Sequence, residues 1–134
     1  MTTPKKSNLL HIVLWVIQVL LAVAFGMAGF MKTTAPIEQL SEMGMKFVNH
    51  TSVELVRFIG VSEILGAIGL ILPSALRIKP ILTPIAAIGI ATIMVLAVRE
   101  HLTQNEPIIA NVVMFALAAF VAWGRLKKAP ISPK

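Results

Sequence analysis

The chain has 134 residues, of which 57% are hydrophobic and only 13% are charged, and its mean hydropathy is +0.85. This balance is too apolar for a soluble domain and is typical of a protein with lipid-facing surface. The net charge of +6 sits mainly at the chain ends and in one loop, which argues against a nucleic-acid partner. The lack of cysteine excludes thiol chemistry, and the length predicts a single domain, residues 1–134.

Four apolar stretches each approach the ~20 residues that a helix needs to cross a hydrocarbon core. Because no water is available there, each stretch must be helical to satisfy its own backbone. The predicted spans are 9–31, 53–72, 80–98 and 107–124. The first is too long for the apolar core of a signal peptide, so it is expected to stay uncleaved. The predicted fold class is all-α, a polytopic membrane protein built as a four-helix transmembrane bundle.

The distribution of lysine and arginine predicts the orientation of the bundle. With four spans, both chain ends and the loop between helices 2 and 3 share one side of the membrane. That side holds Lys5, Lys6, Arg77, Lys79, Arg125, Lys127, Lys128 and Lys134. The other side holds only Lys32, Lys46 and Arg99, with Arg57 just inside the membrane. We therefore expect a multi-pass protein of the bacterial plasma (inner) membrane with both termini in the cytoplasm.

The longest connection lies on the outer side, between helices 1 and 2. Pro36 suits a first helical position, and the apolar residues that follow recur at helical spacing. A short amphipathic helix at the membrane interface is predicted over about 36–48. Thr51 and Glu54 predict a capping box at the start of helix 2.

Glu63 is the most informative polar residue, because it lies near mid-span in helix 2. An ionised carboxylate there is costly, so it is either protonated or paired. Two roles stay open: a neutral, hydrogen-bonded clasp to helix 1 or helix 4, or a functional group. The predicted functional cluster, an outward-facing polar cavity, consists of Lys32, Arg57, Glu63, His101 and Asn111. Gln18 and Met94 are secondary candidates on the same inward stripes.

No metal site is predicted. His11 belongs to the cytoplasmic side, and neither His50 nor His101 stands at a ligand-like spacing from a carboxylate. No intrinsic cofactor is expected, and the chain has no self-contained catalytic motif, so whether it is an enzyme stays open.

Two stretches resemble the DoxX-like family of membrane proteins. Helix 1 ends in FGMAGFMK at 25–32, similar to the family's Gly-x-x-Lys ending, and helix 2 reads RFIGVSEILGAIGLILP at 57–73. Met94, His101 and Asn111 follow in the order that the family pattern expects. The resemblance covers about 14–125 and implies a four-helix membrane bundle. It also implies two kinds of role, since some relatives are linked to quinone or sulfur redox chemistry and others to the assembly of partner proteins.

Three functional hypotheses follow. The first is a small accessory subunit that binds a quinone-like molecule or supports a membrane redox complex through the cavity around Glu63. The second is an assembly or chaperone-like factor for membrane partners. A small transporter is the least favoured, because the charge bias is strong and the intramembrane Glu lies in helix 2. The expected partners are the lipid bilayer and either a membrane protein or a second copy of the chain.

Overall fold

Four long helices and one short helix account for most of the chain. The structure, a computed structural model, describes residues 4–134, with side chains described from residue 8 onward. The α-helices are α1 (Pro4–Thr34), α2 (Ile37–Glu42), α3 (Val53–Leu76), α4 (Leu82–Thr103) and α5 (Ile109–Trp123). Among the described residues, α1, α3, α4 and α5 with its continuation to Lys128 are long and apolar enough to cross a membrane. The predicted all-α transmembrane bundle is confirmed.

The four long helices pack in the order α1, α3, α4, α5. We call the end where α1 begins and α5 ends the inner end, and the opposite end the outer end. The core between the helices is apolar and includes Leu14, Leu21, Leu70, Ile90 and Val121. Many large apolar side chains on the other faces are exposed, as expected for surface that meets lipid tails.

The seam between α1 and α3 is unusually close because both helices carry glycine at the contact. A Cβ on Gly29 would lie 2.6 Å from the carbonyl oxygen of Gly60, and one on Gly60 would lie 2.8 Å from the carbonyl oxygen of Gly29. Only residues without a Cβ allow the backbones to meet at this distance. Close packing through small residues is the main source of helix association in lipid.

A proline inside α3 is compensated by α4. Pro73 has no N–H to donate to the carbonyl of Gly69, which would leave that carbonyl unsatisfied in the membrane. The Thr83 hydroxyl donates to this carbonyl at 3.0 Å and also lies 2.7 Å from the Ser74 hydroxyl oxygen. The inner end of α3 is therefore held by α4.

The outer connection forms two short pieces rather than the single helix predicted over 36–48. After α2, Gly44 has a φ of 101°, which ends the helix, and a 3₁₀ turn follows over Lys46–His50. Leu40 and Val48 pack on Val56 of α3 in a small second core. The N-cap of α3 is Ser52, whose hydroxyl accepts from the Leu55 N–H at 3.2 Å, so the capping box predicted at Thr51 and Glu54 is wrong.

Candidate functional site

Glu63 forms a buried ion pair with Lys32 across the seam of α1 and α3. The Lys32 Nζ lies 2.8 Å from the Glu63 Oε1, and the two side chains are 12% and 3% exposed. The glycine contact brings these two side chains together. Gly29 lies one turn before Lys32, and a Cβ at Gly29 would lie 3.0 Å from the Glu63 Cβ. This geometry is that of a clasp to α1, with an ion pair where the sequence predicts a neutral hydrogen bond.

Arg57 lies beside this pair but binds backbone. Its Nη1 donates to the carbonyl oxygens of Lys32 at 2.8 Å and Ala35 at 2.7 Å. Those carbonyls belong to the end of α1, where the helix leaves them without intrahelical partners and where the dipole favours a cation. Arg57 therefore caps α1 and fixes the start of the outer connection.

The other predicted site residues, His101 and Asn111, form a second group only by their location on α4 and α5, because they make separate contacts. The His101 Nδ1 lies 2.7 Å from the Glu106 Oε1, and the Asn111 Nδ2 lies 3.8 Å from the Met94 Sδ. Within residues 4–134, no hydrogen bond or ion pair joins this group to Lys32, Arg57 or Glu63. The five residues predicted to line one cavity thus fall into two groups.

An apolar groove runs between α4 and α5 next to the second group. Its volume is about 190 Å³, and its lining consists of Met94, Val95, Val98, Val112 and Phe115. Three of these side chains are exposed on the outside of the bundle, so the groove opens sideways toward lipid. The Asn111 amide adjoins it through Met94, and His101 lies one turn beyond Val98 toward the outer end. The groove is therefore apolar along its length, and Asn111 lies beside its edge rather than in its lining.

A third polar group, at the inner end, was not predicted as a site. Arg125 is 3% exposed; its Nε donates to the Gln18 Oε1 at 2.7 Å and its Nη1 to the His11 Nδ1 at 2.9 Å. Gln18 in turn donates to the Leu70 carbonyl at 2.6 Å. Gln18, expected to join the cluster around Glu63, is instead a partner of Arg125.

The sequence did hold a signal for this inner group. Arg125 follows Asn111 and Ala118 at seven-residue intervals, which places it on the inward stripe of α5. Its positive charge also fits the basic excess that predicts the membrane orientation, so the charge alone does not distinguish the two interpretations. The helix continues beyond Trp123 as a π-helical turn over Gly124–Lys128, and Gly124 packs against Leu14. Such turns are frequent where a helix carries functional side chains.

No group of three or more metal-ligating side chains occurs in the part of the chain that the structure describes. Four apolar membrane-crossing helices around a shared core define a multi-pass integral membrane protein.

The family model described as the DoxX-like family matches residues 16–124, most of the chain. The chain therefore belongs to the DoxX-like family, which confirms the resemblance seen in the sequence. No curated protein and no solved structure matches it.

Proposed function

We propose that this chain binds a quinone-like ring in the groove between α4 and α5 and serves as a small accessory subunit of a membrane redox assembly. The observation that carries the proposal is the groove itself, which is apolar and open to lipid and has the Asn111 amide beside Met94 at its edge. Binding sites for small molecules have this composition, with a mainly apolar lining and a few placed polar groups. A ligand dissolved in the membrane would enter sideways.

The Asn111 amide beside the groove suits a ring carbonyl. Among the residues that the structure describes, the Asn111 amide N–H has only the Met94 sulfur as acceptor, at 3.8 Å, and sulfur is a weak acceptor. A quinone oxygen would replace it with a stronger hydrogen bond. Phe115 offers an aromatic face for the ring, in the offset or edge-on arrangements that aromatic pairs prefer.

This proposal moves the binding site away from Glu63. The Glu63 carboxylate and the Lys32 ammonium satisfy one another and are nearly inaccessible. They support the bundle by holding α1 on α3, while α4 and α5 supply the ligand groove. Because the chain has no cysteine for a thiol–disulfide step, we propose an accessory role.

The test uses two neighbouring valines of α5. Val112 lines the groove, whereas Val113 is 50% exposed and lies outside it. With the full chain in lipid nanodiscs, we expect Val112→Trp to weaken binding of a radiolabelled decyl-benzoquinone at least about tenfold by filling the groove. Val113→Trp should change the affinity less than about twofold. Equal affinities for the two variants would overturn the proposal.

A second candidate, the assembly factor, rests on the same groove. Val95 and Val112 are about half exposed there, so a side chain from a partner's transmembrane helix could fill the space. In this case Val112→Trp, but not Val113→Trp, would lose a co-purifying membrane protein, while neither variant would bind the benzoquinone.

A further inference from the structure

A cavity at the inner end lies apart from the α4–α5 groove. Its volume is about 370 Å³, within the range of small-molecule sites. Helices α1 and α3 and the C-terminal segment supply its lining: His11, Trp15, Ser74, Ala75, Arg77 and residues 130–132. The C-terminal segment is fastened by two hydrogen bonds, from the Arg77 Nε to the Ser132 carbonyl at 2.8 Å and from the Lys134 N–H to the Arg77 carbonyl at 2.9 Å.

The wall behind this cavity holds a buried cation with neutral partners only. The Arg125 guanidinium donates to Gln18, to His11 and to the Ala129 carbonyl, and none of these is a carboxylate. A buried charge is normally compensated by an opposite charge, because desolvation is costly. The Trp15 ring, 5.8 Å from the guanidinium carbon, gives only partial compensation.

The inner end contains no acidic side chain that could supply the missing charge. The six acidic residues of the chain are Glu38, Glu42, Glu54, Glu63, Glu100 and Glu106, which lie at mid-span or toward the outer end. The inner end instead carries Lys79, Lys127 and Lys128 around Arg77 and Arg125. The electrostatic field at the cavity is therefore positive from several sides.

The polar groups that line the cavity are mainly donors. Since an arginine can only donate, the His11 Nδ1 must accept, which puts the ring proton of a neutral His11 on Nε2. Arg77 uses its Nε on Ser132, and its two terminal NH₂ groups have no hydrogen-bond partner within residues 4–134. A ligand that fits must offer several acceptors and negative charge.

We propose that the inner-end cavity binds the phosphate of an anionic phospholipid headgroup, held by the Arg77 guanidinium and the His11 N–H, with Arg125 behind them. A lipid source is favoured over free phosphate because the cavity also has an apolar side. Trp15, Ala75, Pro130 and Ile131 supply this side, which would contact the glycerol that free phosphate lacks.

The experiment measures the thermal unfolding midpoint of the full chain in detergent with one added ligand at a time. Because a ligand that binds only the folded state raises the midpoint, we expect phosphatidylglycerol to raise it by on the order of 4 °C. Phosphatidylcholine should have a smaller effect, since its choline cation is repelled by the acid-free inner end. Inorganic phosphate at the same concentration should have none; an equal effect of phosphate would overturn the lipid assignment.

Two matched pairs of variants locate the effect. Arg77→Gln and Lys79→Gln each remove one exposed cation at a residue with positive φ, but only Arg77 lines the cavity. We expect the apparent affinity for phosphatidylglycerol to fall about tenfold in the first and to change little in the second. If both lower it equally, the lipid binds a diffuse basic surface and the proposal is wrong.

The second pair keeps every charge and the Arg77–Ser132 hydrogen bond. Ala75→Phe fills the cavity, and Leu76→Phe, on the next residue, does not line it. Loss of the phosphatidylglycerol effect in Ala75→Phe alone is the expected result. Retention of the effect in Ala75→Phe would place the lipid elsewhere.

Discussion

At the scale of single residues, the polar side chains of this bundle are matched to specific partners rather than gathered in one cavity. Glu63 is satisfied by Lys32, Arg57 by the last carbonyls of α1, and the Gly69 carbonyl by Thr83. The sequence indicated which residues are costly in a membrane. It did not indicate the partners, because these depend on how each helix is rotated and how far it is shifted along its neighbour.

The Lys32–Glu63 pair can be tested by a double-mutant cycle. Removing one partner leaves a buried polar group unpaired, so Lys32→Met and Glu63→Met should each lower the free energy of unfolding by about 3 kcal/mol. The double variant should cost less than either single one, because two apolar side chains replace a buried pair with little loss. Denaturant titration in mixed micelles measures all three.

Lys46→Met is the control for this cycle, since Lys46 is an exposed lysine of the outer connection. Its effect should stay within about 0.5 kcal/mol. If Lys32→Met and Glu63→Met were equally harmless, and Glu63→Met instead abolished ligand binding, Glu63 would be a functional group and not a clasp.

At the scale of secondary-structure elements, the apolar runs predicted all four spans, because each run must be helical in lipid. Helices α1, α3 and α4 are longer than the runs: α4 continues to Thr103, beyond the predicted limit at residue 98, since a helix can extend into the headgroup region. The break at Gly44 and the support of Pro73 by Thr83 were not predicted. Neither a residue with positive φ nor a contact between two helices produces a periodic pattern of apolar residues in a single sequence.

The seam of α1 and α3 gives a prediction at this scale. Gly29→Ala places a Cβ 2.6 Å from the Gly60 carbonyl and 3.0 Å from the Glu63 Cβ, so the helices must separate. We expect a loss of about 1–3 kcal/mol in the free energy of unfolding. Separation would also lengthen the Lys32–Glu63 contact.

Gly89→Ala is the matched control, because a Cβ on Gly89 meets nothing within 4 Å. Alanine favours the helix by about 1 kcal/mol over glycine, so this variant should be neutral or more stable. If both variants lost a similar amount of unfolding free energy, the close contact of α1 and α3 would not be the reason that position 29 requires glycine.

At the scale of the whole molecule, the two ends of the bundle differ in charge and in construction. The sequence predicted that the inner end would be basic, and it assigned those charges to topology. Arg125 departs from that interpretation, because it is buried and bonded to Gln18 and His11. Charge counts place a residue at one end of a bundle, but only the folded α5 and its last π-helical turn show that it points inward.

The orientation of the bundle is tested by single cysteines, since the chain has none of its own. Lys46→Cys, Lys79→Cys and Lys134→Cys each replace an exposed lysine. In intact cells, an impermeant maleimide should label only Lys46→Cys, and the other two should react after the membrane is opened. Labelling of Lys79→Cys in intact cells would contradict the predicted orientation.

The most direct test of the proposed role is to map where a quinone-like ring contacts the chain. A photoreactive benzoquinone is irradiated with the full chain in lipid nanodiscs, and the labelled peptides are identified by mass spectrometry. The α4–α5 groove predicts label on residues 94–98 and 111–115, suppressed by an excess of unlabelled benzoquinone. Label concentrated around Lys32 and Glu63, or spread over lipid-facing side chains without competition, would contradict it.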